Sequence, residues 1–303
     1  MSPNPVLRKL GLTDDDRVVI IHADDIGMCQ ATLPALADLV DFGLISSSAV
    51  MVPCPWFPEV AAYCRQHPKI DMGVHLDLTC EYDGYRWGPL STRDPSSGLI
   101  DDDGYFYRGP EGVQEHGDAK AVQLELGMQV TRALDAGIDV THIDTHQGAV
   151  MHPGFMSAYA QLAIEHGLPM MMLRLDEAGW LALGRAMDLD LGSGAAALTA
   201  QLVQKWEAQG LPLFDNLVML PLDRPADRVE QAKRAFDALP SGLTHFIIHP
   251  AQDTPELRAI TPDWQSRVAD YQAFTSSELR SYVEGSDLHV VGYRALRELS
   301  APA

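Results

Sequence analysis

The sequence is poor in basic residues. Its 303 residues include 22 lysines and arginines against 42 aspartates and glutamates, which gives a formal net charge of -20 at pH 7. A negative field of this size repels nucleic acids and anionic lipid surfaces. We therefore expect neither a nucleic acid nor a membrane as a partner. The charge instead suits a neutral or cationic small substrate.

Long hydrophobic runs and a secretory leader are also missing. No apolar stretch approaches the roughly 20 residues that a membrane span requires. The segment MSPNPVLRKL lacks the apolar core of a signal peptide. The sequence has four cysteines and no CxxC pair, so reduced thiols are expected at Cys29, Cys54, Cys64 and Cys80. These features together predict a cytoplasmic protein.

Short apolar runs alternate with helix-like segments along the chain. The predicted strands are 18–21, 46–52, 70–78, 140–145, 169–175, 216–220, 244–249 and 287–291. This alternation is typical of parallel strands joined by helical crossovers. Eight such units favour a closed or nearly closed barrel over an open sheet. We therefore predict an α/β fold with a TIM-like (β/α) barrel, formed by a single domain over residues 1–303.

One long irregular segment interrupts this alternation. Residues 79–117 are rich in Gly, Pro, Ser and Asp, and they include six aromatic residues: Tyr82, Tyr85, Trp87, Tyr105, Phe106 and Tyr107. A compact domain seldom carries so long a loop without a functional reason. An exposed insertion is one interpretation. We prefer a loop that covers a substrate pocket, because so many aromatic rings are unusual in a merely solvated segment.

Two adjacent carboxylates follow the first predicted strand. Asp24 and Asp25 come after the apolar run at 18–21, and Gly27 allows a sharp turn directly behind them. Unpaired carboxylates in this place would repel each other and lose solvation. A bound cation, or a proton kept by one of them, would remove that cost. An aspartate pair that caps the next helix is an equally good interpretation of the stretch alone.

Other conspicuous polar residues also lie at strand ends, where parallel barrels carry their chemistry. His75 interrupts an apolar strand, where a lone histidine is most often a core residue. His142, Asp144 and His146 share one strand parity, and His249 ends the seventh predicted strand. One aspartate and two histidines could form a facial set of three metal ligands that leaves positions for water and substrate. A second aspartate could then serve as general base, and His249 could protonate a leaving group.

Four motifs, in order along most of the chain, resemble those of one family. HADDIG at 22–27 resembles N-A-D-D-F-G, and GVHLDLT at 73–79 resembles G-x-H-x-x-L-T. THIDTHQG at 141–148 resembles T-H-x-D-S-H-x-H, and HPA at 249–251 matches a late H-P-A motif. The sequence is thus similar to the YdjC-like carbohydrate deacetylases. That group includes chitooligosaccharide deacetylases and hopanoid-associated sugar deacetylases.

The resemblance implies a distorted barrel, related to that of other polysaccharide deacetylases, and a site for one divalent metal ion, magnesium or zinc. It implies that the metal ligands are Asp25, His75 and His146. It implies base catalysis by Asp24 and acid catalysis by His249. Less directly, it suggests Arg174 as a charge partner near the base.

The implied reaction removes the acetyl group from an N-acetylated sugar or a short oligosaccharide of the N-acetylglucosamine type. Acetate and a free amino sugar would leave. The same metal site could instead hydrolyse another amide, an ester or a phosphoester, and a non-catalytic sugar-binding relative is the remaining alternative. The prediction is compatible with a homodimer. Three departures from the motifs, His22, Ile26 and Gly148, bear on which sugar is accepted.

Overall fold

The computed structural model describes residues 3–186 and 192–300. The strands are β1 (Arg17–Ile26), β2 (Ser47–Val50), β3 (Met72–Leu76), β4 (Val140–Thr145), β5 (Asn216–Met219), β6 (Gly242–Ile248) and β7 (Leu288–Val290). The helices are α1 (Pro5–Lys9), α2 (Thr32–Phe42), α3 (Phe57–Gln66), α4 (Pro110–His116), α5 (Ala119–Asp135), α6 (Met156–His166), α7 (Glu177–Ala186), α8 (Ser193–Ala208), α9 (Arg228–Asp237), α10 (Pro255–Ile260), α11 (Trp264–Phe274), α12 (Ser277–Glu284) and α13 (Tyr293–Ser300). Two 3-10 turns, Pro95–Ser97 and His146–Met151, complete the described elements.

The strands form one sheet in the order β4-β3-β2-β1-β6-β5, and β7 pairs with the first residues of β1. All of the strand pairings are parallel. Helices connect successive strands and cross over the sheet, as parallel neighbours require. The predicted α/β fold with parallel strands is therefore confirmed.

The predicted fifth strand, 169–175, is not a regular strand. Its residues form isolated bridges instead, one between Met170 and Ile143 of β4 and one between Leu173 and Phe214, just before β5. These bridges connect the two edges of the sheet. No continuous ladder closes the barrel within residues 3–186 and 192–300.

Strand β1 lies at the centre of the sheet, and its sequence explains this position. Residues 18–21 are apolar and at most 1% exposed, because neighbouring elements cover both faces of the strand. The pairing with β6 is unbroken from Arg17 opposite Gly242 to Ala23 opposite Ile248. The strand thus brings the residues that follow Ala23 to the carboxyl end of the sheet.

The long loop 79–117 is partly structured. Isolated bridges join Thr79 to Tyr107 and Ile100 to Phe106, and the loop contains the turn Pro95–Ser97 and helix α4. Of its aromatic residues, Tyr82, Trp87 and Phe106 are buried, whereas Tyr105 is exposed. The buried rings of the loop are therefore part of the apolar core that the sheet and the helices share. Among the described residues, no helix is both long and apolar enough to cross a membrane.

Candidate metal centre and active site

The end of β1 departs from regular strand geometry at the aspartate pair. Asp25 has a φ of 60°, in the left-handed region, and the register with β2 shifts between Ala23 and Ile26. In a regular strand, adjacent side chains point to opposite faces. This irregularity allows Asp24 and Asp25 to face one site. A left-handed residue other than glycine costs roughly 1–2 kcal/mol, and strain of this kind is often found at functional sites.

Three ligand atoms converge beside Asp25, and we call this group the outer site. The Asp25 Oδ1 atom lies 3.4 Å from His75 Nε2 and 3.3 Å from His146 Nδ1. The two ring nitrogens are themselves 3.3 Å apart. Within the described part of the chain, Asp25 Oδ1 has no hydrogen-bond partner although it is buried. A buried, unpaired oxygen that faces two imidazole nitrogens fits a bound divalent cation, as the sequence predicts.

Each member of the outer site is held by a further charged side chain. Asp144 Oδ1 lies 2.9 Å from His75 Nδ1, and Glu81 Oε2 lies 3.0 Å from His146 Nε2. Arg267 NH1 donates to Asp25 Oδ2 at 2.7 Å. Carboxylates behind metal-binding histidines are common because they fix the orientation of the ring.

A cation at the outer site must compete with protons. Burial alone would raise the pKa of Asp25, but Arg267, His146 and His75 together hold it well below its usual value. Burial would also lower the pKa of His146, yet Glu81 and Asp25 raise it to about 10. Without a metal, protons therefore occupy the outer site. A cation must displace them, so its affinity is expected to rise with pH.

Asp24 and His249 lie next to the outer site. Asp24 Oδ2 is 3.9 Å from His75 Nε2 and 3.8 Å from His249 Nε2. The backbone N–H of His249 donates to Asp270 Oδ2, and Asp270 Oδ1 lies 3.0 Å from Arg228 Nε. Burial lowers the pKa of His249. A carboxylate and an imidazole thus flank the predicted metal position.

The structure does not bring Arg174 to this site. Its Nε donates to Glu207 at 2.6 Å and its NH1 donates to Asp215 at 2.9 Å. Asp215 precedes β5 and accepts from the backbone N–H of Leu243, near the start of β6. Asp24 and Asp25 lie at the opposite, carboxyl end of the strands. We therefore assign Arg174 no role as the charge partner of Asp24.

Motif analysis missed three residues that contact the site. Arg267 and Asp270 lie one turn apart on α11, so this helix holds both a predicted ligand and the backbone of His249. Glu81 lies two residues beyond the GVHLDLT motif. The only sequence signal for Arg267 would have been an arginine on a helix that follows the HPA motif, and that signal is weak.

The Glu81→Gln variant is expected to bind metal about 10- to 100-fold more weakly, because the carboxylate that orients His146 becomes a neutral amide. Calorimetric titration of the apo-protein measures this. Asp83→Asn is the matched control, since Asp83 lies on the same loop and pairs with Arg108 at the surface. Equal affinities for the two variants would show that Glu81 does not support the site.

Comparison with known proteins agrees with the fold and the motifs. A carbohydrate deacetylase of Thermus thermophilus is 33% identical over 294 residues, which cover 97% of this chain and 98% of that protein. A carbohydrate deacetylase of Thermoanaerobacter pseudethanolicus is 22% identical over 281 residues, which cover 93% of this chain and 100% of that protein. The crystal structure of a putative cellobiose-phosphate cleavage protein from Enterococcus faecalis superposes with a TM-score of 0.74 at 20% identity. The superposition covers 93% of this chain and 99% of that protein. At that identity the superposition shows a shared fold only.

The family assignment rests on most of the chain. The model of the YdjC-like protein family matches residues 18–285, a range that includes all four motifs and every residue of the outer site. This match, together with the similarity to the Thermus thermophilus protein over nearly its whole length, shows that the chain belongs to the family of YdjC-like proteins.

Proposed function

We propose that this protein is a metal-dependent hydrolase that removes the acetyl group from an N-acetylated sugar or short oligosaccharide. The observation that carries the proposal is the outer site, in which Asp25, His75 and His146 converge beside Asp24 and His249. The similarity to proteins named carbohydrate deacetylases supports the choice of substrate.

The outer site would hold one divalent cation, zinc or magnesium, through Asp25 Oδ1, His75 Nε2 and His146 Nδ1. When bound there, such a cation lowers the pKa of water and polarises a carbonyl oxygen. Two imidazoles and one carboxylate suit zinc well and leave room for further ligands. Arg267 keeps the second oxygen of Asp25 engaged, so that only Oδ1 faces the cation.

In this proposal Asp24 acts as the general base. Its Oδ2 faces the outer site, so it can accept a proton from a water molecule that attacks the acetyl carbon. His249 lies on the other side of Asp24 Oδ2 and can donate its Nε2 proton to the departing amine. Because burial lowers the pKa of His249 and favours its neutral form, His249 must first take up a proton. Asp24 Oδ2, which lies 3.8 Å away and has accepted the proton of the attacking water, can supply it. The products are acetate and a free amino sugar.

Trp87 is the aromatic loop residue that we propose contacts the sugar. Its ring centroid lies 6.4 Å from that of His146, and its buried Nε1–H has no hydrogen-bond partner in the described part of the chain. A sugar hydroxyl could accept from this N–H while an apolar sugar face packs on an aromatic ring of the loop. The proposal therefore keeps the loop 79–117 as a cover of the pocket.

The Trp87→Phe variant is expected to raise KM several-fold and to leave metal affinity unchanged, since it removes one neutral hydrogen bond of about 0.5–1.5 kcal/mol and retains an aromatic ring. Steady-state kinetics on the best substrate measure the effect. Trp206→Phe is the control, because Trp206 is buried on α8 beside Glu207, which pairs with Arg174. An unchanged KM in the Trp87 variant would remove Trp87 from the sugar site.

A product assay tests the proposed reaction. The purified protein is incubated with N-acetylated mono- and disaccharides, phosphorylated sugars and simple esters, each with zinc or magnesium. Acetate release together with a new free amine supports the proposal. Release of phosphate from a phosphorylated sugar, with no acetate from any N-acetyl sugar, would replace deacetylation by phosphoester hydrolysis.

A further inference from the structure

A second group of metal-ligating side chains lies below the outer site. His22, Asp24, Asp144 and His245 each offer one ligand atom, and these four atoms lie within 4.8 Å of one another. All four side chains are buried. We call this group the inner site, because His22 and His245 lie deeper along β1 and β6 than the catalytic residues that follow them.

Three ligand atoms of the inner site are close together but are not hydrogen-bonded. His22 Nε2 lies 3.0 Å from Asp24 Oδ1 and 2.9 Å from Asp144 Oδ2. Neither contact has hydrogen-bond geometry, and all three atoms lack a hydrogen-bond partner among the residues that the structure describes. Leaving such groups buried and unpaired is costly. Asp25 Oδ1 in the outer site shows the same combination of short contacts and a missing partner.

One ring nitrogen of His245 is engaged by a neighbouring side chain, which leaves the other free to serve as a ligand. The Tyr293 hydroxyl lies 3.1 Å from His245 Nδ1, which leaves Nε2 as the nitrogen for a metal. Metal-binding histidines are usually oriented by a bond of this kind at the other ring nitrogen.

We propose that the inner site binds a second divalent cation, of the zinc type, through His22, Asp24, Asp144 and His245. The two carboxylates and two imidazoles of the inner site match the preference of such a cation for four ligands. Asp24 and Asp144 raise the pKa of His22 to about 9, so the cation must displace a proton from His22 in order to bind. Nothing in the motifs that define the outer site requires this group, since His22 stands where the motif has asparagine.

A cation in the inner site would also affect catalysis, and this part rests on the proposed function. Asp24 lies between the two sites, with Oδ1 facing the inner site and Oδ2 facing His75 and His249. A cation on Oδ1 stabilises the ionised carboxylate and so weakens Asp24 as a base. The first equivalent of zinc is therefore expected to activate the enzyme, and excess zinc to inhibit it.

Metal stoichiometry tests the inner site without any need for turnover. Protein stripped with a chelator is titrated with zinc, and bound metal is counted by atomic emission after desalting. We expect two equivalents for the wild type, and one for either His245→Gln or His146→Ala, each of which removes a ligand of one site only. Zinc that remains bound to the double variant, which carries both His245→Gln and His146→Ala, is subtracted as surface binding. The His245→Gln change should weaken the affinity for the second equivalent of zinc by at least about 10- to 100-fold. Replacing even a residue that only hydrogen-bonds to a metal ligand has an effect of this size.

The same variants separate the two proposals. His22→Asn serves as a second inner-site variant if His245→Gln misfolds, as judged by circular dichroism. His245→Gln should retain activation by zinc and lose inhibition by excess zinc. A wild type that binds one equivalent would overturn the inner site and make His22 an imidazolium that bridges Asp24 and Asp144. Two equivalents without any acetate release would support the inner site and contradict the proposed function instead.

Discussion

The Asp24→Asn variant is expected to keep the cation of the outer site and to lose nearly all of its activity. Asparagine retains the size of the side chain but cannot accept a proton from water. Asp24 is not among the three atoms that converge at the outer site; its Oδ2 lies 3.9 Å from His75 Nε2, beyond the ligands. We expect kcat to fall by about 10²- to 10⁴-fold, the usual contribution of a positioned general base.

Arg174→Gln provides a contrast for this prediction. Arg174 was suggested as a partner of the base, but it contacts Glu207 and Asp215 near the start of the strands. Its replacement should lower stability and leave the kcat of the folded fraction near that of the wild type. If Asp24→Asn retains more than a tenth of the wild-type kcat, Asp24 is not the base.

The Asp25→Asn and His146→Ala variants are expected to lose the metal of the outer site, and with it the activity. Each change removes one of three ligands. For Asp25→Asn, excess metal should restore part of the rate, because the amide oxygen still faces His75 and His146. Arg267 keeps Asp263 as a partner at 2.8 Å, so the fold should survive the loss of the Asp25 charge. Metal content and kcat, measured with and without added metal, test both variants.

The two aspartates are distinguished by metal content, which Asp24→Asn is expected to keep and Asp25→Asn to lose. A variant of Asp25 that keeps its metal, beside a variant of Asp24 that loses it, would show that ligand and base are exchanged. Unchanged metal affinity in His146→Ala would remove His146 from the ligands.

The site could be predicted from the sequence as far as local motifs reach. Strand order is enough to propose that one aspartate and two histidines meet, since parallel strands end at the same edge of the sheet. The choice of Asp25, His75 and His146 came from the resemblance to the family motifs. The left-handed φ of Asp25 could not be predicted, because regular alternation places neighbouring side chains on opposite faces. Arg267 was missed because it lies 242 residues from Asp25 in the chain, and only the tertiary structure brings them together.

The strands of the fold could also be predicted only in part from the sequence. Apolar runs identify the strands that are buried on both faces, such as β1 and β6. The run at 169–175 is equally apolar, yet it forms only isolated bridges, because pairing depends on the neighbours at both sheet edges. Periodicity alone does not report those neighbours. The pocket-covering role of the loop 79–117 stays a prediction, although Glu81 on this loop contacts His146.

We propose that the outer site is a metal centre at which an acetyl group is removed from an amino sugar. The most direct measurement is acetate release from N-acetylglucosamine oligomers by the chelator-treated enzyme, before and after one equivalent of zinc or magnesium is restored. We expect no release by the metal-free enzyme and recovery on addition of one of these ions. Full release by metal-free protein, or no acetate with either ion from any N-acetyl sugar, would contradict it.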